Sequence, residues 1–523
     1  FDFVYFCGWQ RSVCRMKFPS FPRSLRIRTP RIRRSRSDQS LAEPIVVWLR
    51  RDLRVTDHQA LSAAAASAEV VCVYVHEEQP MAGPVHGPSA RAFLRGALEA
   101  LQESLADRGV RLVLKVAPAG TGAEVALTEV AGLVGASKVV YTHMYEPSQQ
   151  QEDERVCAAL HCAGIRTEGF HGYLLHDAFH MEQVARDDVG LSGLGSLQHM
   201  EQCVSHLPEV GEPLAPPKLV GAKVFASVSV RELNLCSDAD YDRILAHWAP
   251  SEIEARQRMN RFVHSALENF KTNNVRADLL GKESSTLSPY LYWGLLSPRV
   301  VYTAAKSAAV EWGIDVEPFL QRLLTRDMAY LHLRIFPDMA RKSIKASDET
   351  PTGEPSKEVL VNAWKTGRTG YPLVDAGLVE LRTTGFMSPP LREVTASFLT
   401  RFCRVDWRVG FRHFQEHLVD ADEAIGALAW QTAAGTALVA SDVLDPVLAA
   451  RKCDVSGDYT RKWIPALAQV SAKYVHCPWE VDPRQGPTHW PRVLVEGSPT
   501  KQVSDADRRA TPVRASSKWS LRW

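Results

Sequence analysis

The chain is predicted to join an α/β N-terminal domain, built on a five-stranded parallel doubly wound sheet, to an all-helical C-terminal domain. Three observations predict this. Its 523 residues exceed what one hydrophobic core usually organises. Five short apolar runs between residues 45 and 170 are separated by longer amphipathic stretches rich in Ala and Leu. That alternation is the pattern of parallel strands joined by crossover helices. Over residues 252–479 the apolar residues recur at helical spacing instead.

The five runs are IVVWLR from Ile45, VVCVYV from Val70, VRLVLKV from Val110, KVVYTH from Lys138 and IRTEGF from Ile165. They place the α/β domain at residues 44–180. Residues 181–251 break the pattern with Gly190, Gly193, Gly195 and the Pro-rich GEPLAPPKL at 211–219, and read as an interdomain connection. The helical domain is expected at 252–480. Residues 481–523, rich in Pro, Ser and Arg, read as a disordered tail.

An apolar fraction of 45% with 23% charged residues is ordinary for a globular protein. No apolar run approaches the ~18 residues of a membrane span; the longest candidate, 61–75, is interrupted by Ser62, Ser67 and Glu69. Ten scattered cysteines give no disulfide framework, which suits a reducing compartment. Cys157 and Cys162 flank His161 at no common zinc spacing, so no metal site is expected. The net charge of +2 hides an asymmetry. Residues 1–42 carry +8, leaving −6 on the remainder. Phosphate neutralisation supplies much of the affinity for duplex DNA, so an acidic body lowers the expectation of binding it. Residues 16–37 hold seven Arg, one Lys, four Ser and no acid, the composition of a chloroplast or mitochondrial transit peptide within a presequence at 1–43. Residues 1–15 would then lie upstream of a start at Met16. The cluster of Arg31, Arg33, Arg34 and Arg36 keeps a nuclear signal as the alternative.

The densest information lies at 369–436. It reads TGYPLVDAGLVELRTTGFMSPPLREVTASFL, then RVDWRVGF, then HLVDADEAIGALAWQTAAGT. The order and spacing of Gly-Tyr-Pro, Thr-Gly-Phe-Met, Leu-Arg, Asp-Trp-Arg and Asp-x-Asp resemble the FAD-binding core of the photolyase/cryptochrome family. WLRRDLRVTDHQAL at 48–61 is similar to that family's opening signature, with His58 in place of Asn. KESSTLSPYLYWGLLSPR at 282–299 is similar to its flavin-phosphate segment, and TGFMS with Phe386 resembles the DASH cryptochrome branch. The resemblance covers roughly residues 44–479, the connection matching poorly.

The hydroxyls of Ser284, Ser285 and Ser288, just before a helix led by Pro289, suit a phosphate; Ser is also an ordinary N-cap. The resemblance implies non-covalent FAD, with Arg392 pairing Asp420 against the pyrimidine edge of the flavin. It also implies Asp422 near the ribose and adenine, Arg326 on the pyrophosphate side and Phe386 against adenine. The plain alternatives are a structural ion pair, a solvated helix charge and core packing. Gly426 stands where the family carries Asn, Asp or Cys beside flavin N5, and glycine offers no side chain.

Trp430 and Trp407 match the first two members of the family's electron relay, but the third position is Glu354, which cannot be oxidised as an indole can. Photoreduction is therefore expected to be slow, with Trp364, Trp312 or Tyr459 as detours. The positions implied for a flipped pyrimidine dimer also depart from the family. Arg322 replaces a Glu, Thr325 and Thr432 replace aromatic walls, and Pro389-Pro390 replaces an Asn-Arg pair. Glu393 and Asp442 bring acid to positions expected to face DNA, and Asp445 stands for the Asn of the family's Asn-Pro motif. Glu146 matches a Glu that can contact a folate-type antenna; it also reads as a helix N-terminal acid. The sequence thus points to a blue-light or redox sensor with weak or no duplex DNA binding, no membrane association and an unidentified protein signalling partner. The alternatives are a light-dependent photolyase acting on cyclobutane pyrimidine dimers and a non-catalytic protein-binding scaffold.

Overall fold

The computed structural model describes residues 43–78, 86–118, 120–223, 226–270, 284–345 and 355–481. The presequence, the C-terminal tail and Glu354 lie outside the described residues.

Strands β1 (Ile45–Leu49), β2 (Val70–His76), β3 (Leu112–Val116), β4 (Lys138–Thr142) and β5 (Arg166–Phe170) form one parallel sheet in the order β3-β2-β1-β4-β5. Helices α1 (Gln59–Ala65), α2 (Pro88–Ala106), α3 (Ala123–Val134) and α4 (Pro147–Cys162) make the crossovers. β1 is buried on both faces, which is why it reads as an unbroken apolar run. Successive side chains point to opposite faces. Ile45, Val47 and Leu49 join the core that holds Phe93 and Leu98 of α2, while Val46 and Trp48 join the core under Leu127 of α3 and Leu160 of α4. Chain order reverses direction between β1 and β4. The carboxyl ends of those two strands therefore flank a crevice of the kind that receives ligands in such sheets.

The stretch read as a connection carries three helices, α5 (Ala178–Asp187), α6 (Leu197–Ser205) and α7 (Asp238–Leu245), the first crossing the expected boundary at 180. Each starts on a side-chain cap, from Asp177, Ser196 and Ser237 respectively. Apolar periodicity is weak in segments this short, and tertiary anchors hold them, including Trp248 beyond α7, whose indole donates to Thr384 O at 2.8 Å.

The helical part comprises α8 (Glu252–Ser265), α9 (Ser288–Tyr292), α10 (Pro298–Trp312), α11 (Glu317–Ile335), α12 (Pro355–Thr366), α13 (Pro372–Thr384), α14 (Pro389–Ser397), α15 (Trp407–His417), α16 (Glu423–Ala434), α17 (Pro446–Cys453) and α18 (Asp458–Trp463). α13 ends on Gly385 at φ 70°, a left-handed cap that glycine adopts without strain. A Cβ there would lie 2.7 Å from Val419. Val419 N donates to Gly385 O at 2.8 Å, so this close approach sets the loop holding Phe386 beside the loop holding Asp420. Among the described residues no helix is long and apolar enough to cross a membrane.

Candidate functional site

A cavity of about 190 Å³ lies within the helical part. Its apolar wall comes from Phe319 and Leu323 of α11, Phe411 and Phe414 of α15, and Leu428 and Trp430 of α16. Among that apolar lining converge the polar side chains of Ser284, Ser285, Ser288, Arg326, Arg392, Asp420 and Asp422. Phe386 and Gly426 line it as well, so all nine residues expected to hold a cofactor border one space. A mostly apolar cleft with a few convergent polar groups is the usual form of a small-molecule site.

Arg392 Nη2 donates to both carboxylate oxygens of Asp420 at 3.0 Å, and its Nε donates to Met387 O at 2.7 Å. Ser288 Oγ donates to the same carboxylate at 2.6 Å. The serine expected at a phosphate is thus spent on Asp420. α9 is five residues long, so its dipole adds little and the hydroxyls of Ser284 and Ser285 remain as the phosphate-facing candidates. Thr286 beside them has φ 45°, a left-handed backbone costly for a β-branched residue. Such strain is retained where surrounding structure dictates it, often at ligand clamps. Phe386 packs edge-on to Trp248, ring centroids 5.5 Å apart, with the Arg392 guanidinium 5.0 Å from its ring.

Arg326 is buried on α11. Its Nη1 donates to Tyr173 O at 2.7 Å, and its guanidinium lies 4.4 Å from the Tyr173 ring. Its Nη2 is buried with no hydrogen-bond partner in the protein. A buried cationic donor left unsatisfied at a cavity wall fits an anionic ligand group. Asp422 caps α16 through Ile425 N at 2.9 Å and accepts from Tyr330 Oη at 3.0 Å. Burial pushes its carboxyl above the usual range, with Arg326 opposing.

Two family descriptions match the chain. DNA photolyase covers residues 45–189, and the FAD binding domain of DNA photolyase covers residues 319–509. A deoxyribodipyrimidine photo-lyase of Agrobacterium fabrum is 32% identical over 84% of this chain and 90% of its own length. The chain belongs to the photolyase/cryptochrome family. It is an FAD-binding member. Cryptochrome-1 of Arabidopsis thaliana is 29% identical over 83% of the chain, which spans 64% of that longer protein. The crystal structure of a class III photolyase from Agrobacterium tumefaciens superposes with TM-score 0.80 at 30% identity, covering 88% of this chain and 96% of that one. A Synechocystis cryptochrome shares the fold, TM-score 0.76 at 24% identity, covering 89% and 99%.

Other residues expected at family sites divide between the cavity wall and the surrounding helices. Trp430 lines the cavity and makes edge contacts with Phe414 at 5.0 Å and Trp364 at 6.0 Å. Trp407 is buried away from the cavity, against Phe411 at 5.9 Å, and its indole donates to Ser343 Oγ at 3.2 Å. Trp312 is half exposed against His264, and Tyr459 Oη donates to Glu380 at 2.6 Å. Arg322, Thr325 and Pro389 do line the cavity. Thr432 does not; it is buried and donates to Leu428 O. Glu393, expected to face DNA, is instead buried on α14, as is every residue of that helix from Leu391 to Ser397. Asp445, in place of the motif's Asn, caps α17 through Val447 N and Leu448 N. Asp442 is exposed.

Gly426 carries an explanation that the sequence did not offer. A Cβ there would lie 2.9 Å from Phe411 and 3.0 Å from Gln415 Nε2. Gln415 lines the cavity, its amide donating to Asp422 O at 3.2 Å. A lone glutamine on a helix has no motif signature, so only the packing reveals it.

A second cavity of about 390 Å³ opens at the carboxyl ends of β1 and β2, lined by Arg50, Arg51, His76, Glu77, Glu146 and Tyr292 among others. Glu146 starts α4, yet its side chain makes no capping bond. It is buried against Arg51 at 2.5 Å and accepts from Tyr330 Oη at 3.1 Å. Burial alone would raise its carboxyl; the Arg51 charge and hydrogen bond outweigh that and hold it below the usual range. Tyr292 borders both cavities.

Proposed function

We propose that this chain is a flavin-based blue-light or redox sensor whose lesion side no longer supports efficient repair of duplex DNA. The observation that carries this reading is the lining of the first cavity. Arg322, Thr325 and Pro389 border it at positions where the family resemblance places a dimer-binding carboxylate, a stacking Trp and an Asn. Base stacking on an aromatic ring contributes ~1–3 kcal/mol per base, which a threonine forgoes. Proline removes a donor.

Bound FAD would supply blue-light absorption and one-electron chemistry. Arg326, Ser284 and Ser285 would hold its pyrophosphate, and Asp420, fixed by Arg392 and Ser288, would accept an N–H from the pyrimidine edge. Asp422 and Phe386 would serve the ribose and adenine side. Gln415 occupies the space left by Gly426 and is the amide nearest that missing side chain. The apolar wall from Phe319 to Trp430 would exclude water. Trp430 packs on Trp364, so an oxidised Trp430 has an indole neighbour to draw on besides the expected Trp407. Trp430→Phe is expected to slow photoreduction at least tenfold, and Trp364→Phe to slow it more than Trp407→Phe does. Flash-monitored reduction rates of the three variants check this. Equal rates for Trp364→Phe and wild type would leave Trp407 as the route.

A genuine photolyase is the second reading, favoured by the 32% identity to the Agrobacterium fabrum photo-lyase. Light-dependent repair of a dimer-containing oligonucleotide separates the two. We also assign a folate-type antenna role to the second cavity; the buried Glu146–Arg51 pair supports it because it places polar groups at the sheet's switch point. An organellar location, with a nuclear alternative, and a protein signalling partner complete the proposal on the sequence reading alone.

A further inference from the structure

We propose that His413, Glu416 and His417 form a binding site for one divalent transition-metal ion of the zinc class. The three side chains lie at positions i, i+3 and i+4 of the last turns of α15, which places them on one face. One ligand atom from each lies within 4.8 Å of the others. Residues 411, 414 and 415 of the same helix border the first cavity, whereas none of these three does, so the site is separate from the cofactor site. Two imidazoles and one carboxylate are a donor set for Zn²⁺, Ni²⁺ or Cu²⁺ and a poor one for Mg²⁺ or Ca²⁺.

Five further observations argue that the arrangement is built. The two imidazole rings lie 4.2 Å apart. His417 Nδ1 lies 2.8 Å from His413 O. A carbonyl can only accept, so Nδ1 carries the proton and Nε2 keeps the lone pair needed for a metal; an outer hydrogen bond of this kind commonly orients a ligating histidine. His413 is buried, and its Nε2 has no hydrogen-bond partner. A buried polar atom left unsatisfied calls for an explanation. The backbone of the last turn is also pinned. Gly87, at the start of α2, sits so close to Glu416 O that a Cβ there would lie 1.9 Å away. The His413 ring packs against Trp364 at 5.3 Å, and the Trp364 indole is itself held by Thr395 O at 3.2 Å.

Glu416 is exposed and His417 half-buried, so an ion can reach the site and keep a coordination position open to water. Lys365, Arg382 and Arg243 place positive charge near the two imidazoles. They oppose a cation, and Glu416 is the acid at the cluster. The affinity is therefore lower than that of a closed four-ligand zinc site.

The test is calorimetric titration of Zn²⁺ into the FAD-loaded full chain, beside His417→Ala and Glu416→Gln. Both variants keep the buried His413, and their metal-free melting temperatures check that they fold. The expected result is one equivalent of Zn²⁺ whose affinity falls at least ~10-fold in His417→Ala and less in Glu416→Gln, the size of effect that loss of a ligand or its support has at metal sites. Zn²⁺ should raise the melting temperature of wild type and not of His417→Ala, and excess Mg²⁺ should not compete. Absence of binding at millimolar Zn²⁺ would overturn the proposal. So would binding that His417→Ala leaves unchanged, the ion then being held elsewhere, for example by Cys157 and His161.

Discussion

Asp420→Ala is expected to yield protein that purifies without FAD. The Asp420 carboxylate is the acceptor for two buried or cavity-lining donors, Arg392 Nη2 at 3.0 Å and Ser288 Oγ at 2.6 Å. Removing it leaves the Arg392 guanidinium, tied otherwise to Met387 O, as a buried charge without its counter-ion. Breaking a buried pair from one side typically costs about 3–5 kcal/mol. A cofactor that relied on the same carboxylate loses its contact as well. Asp420→Asn keeps an acceptor oxygen and the shape of the side chain, so an intermediate flavin content is expected. Flavin absorbance per polypeptide, with melting temperature alongside, reads both effects. A full complement of FAD in Asp420→Ala would remove the assignment of this carboxylate to the cofactor.

Gly410→Val is expected to dislodge Trp430. Gly410 on α15 is crossed by the Trp430 indole so closely that a Cβ would lie 2.1 Å from Cη2 and 2.3 Å from Cζ3. No flexible side-chain end absorbs that overlap; the ring itself must move. Trp430 is fully buried between Phe414 and Trp364, so its movement disturbs both contacts and the cavity wall it forms. Overpacking of a core costs about 1–3 kcal/mol, and this site stands at the upper end. Lowered thermal stability together with reduced flavin content is the expected pair of results. Unchanged values for both would mean that α15 and α16 are further apart than described.

These two sites also show what could be read from the chain alone. The nine cofactor-side residues came from motif order, and they border one cavity because loop approaches such as Gly385 to Val419 set the loop after α13 against the loop before α16. Strands β1 to β4 were legible from apolar runs, whereas β5 is the largely polar RTEGF, with no buried position. The strand order in the sheet was not legible, since pairing depends on crossovers that carry no local signal. Helices α5 to α7 escaped notice because their stability rests on caps and distant anchors such as Trp248 with Thr384. The burial of Glu393 was not legible because α14 is enclosed on every face, from Leu391 to Ser397, by packing that alignment with neighbouring motifs does not reveal. Gln415 carries chemistry only by its spatial proximity to Gly426, whereas His413, Glu416 and His417 share one helix at i, i+3 and i+4, a spacing that the chain itself displays.

The central claim is that the flavin site persists while the lesion pocket does not. Its most direct test is light-dependent repair of a duplex thymine-dimer substrate by FAD-loaded, chemically reduced protein. Supplying reduced cofactor removes the electron relay from the question and leaves DNA binding and the pocket. On the proposed reading, Thr325 and Arg322 in the cavity wall forgo stacking and hydrogen bonds that count toward the roughly 4–10 kcal/mol separating specific from non-specific DNA binding. The result expected is full flavin absorbance with no repair above the dark control. Multiple turnovers per protein under the same illumination would contradict the account and make the chain a working photolyase.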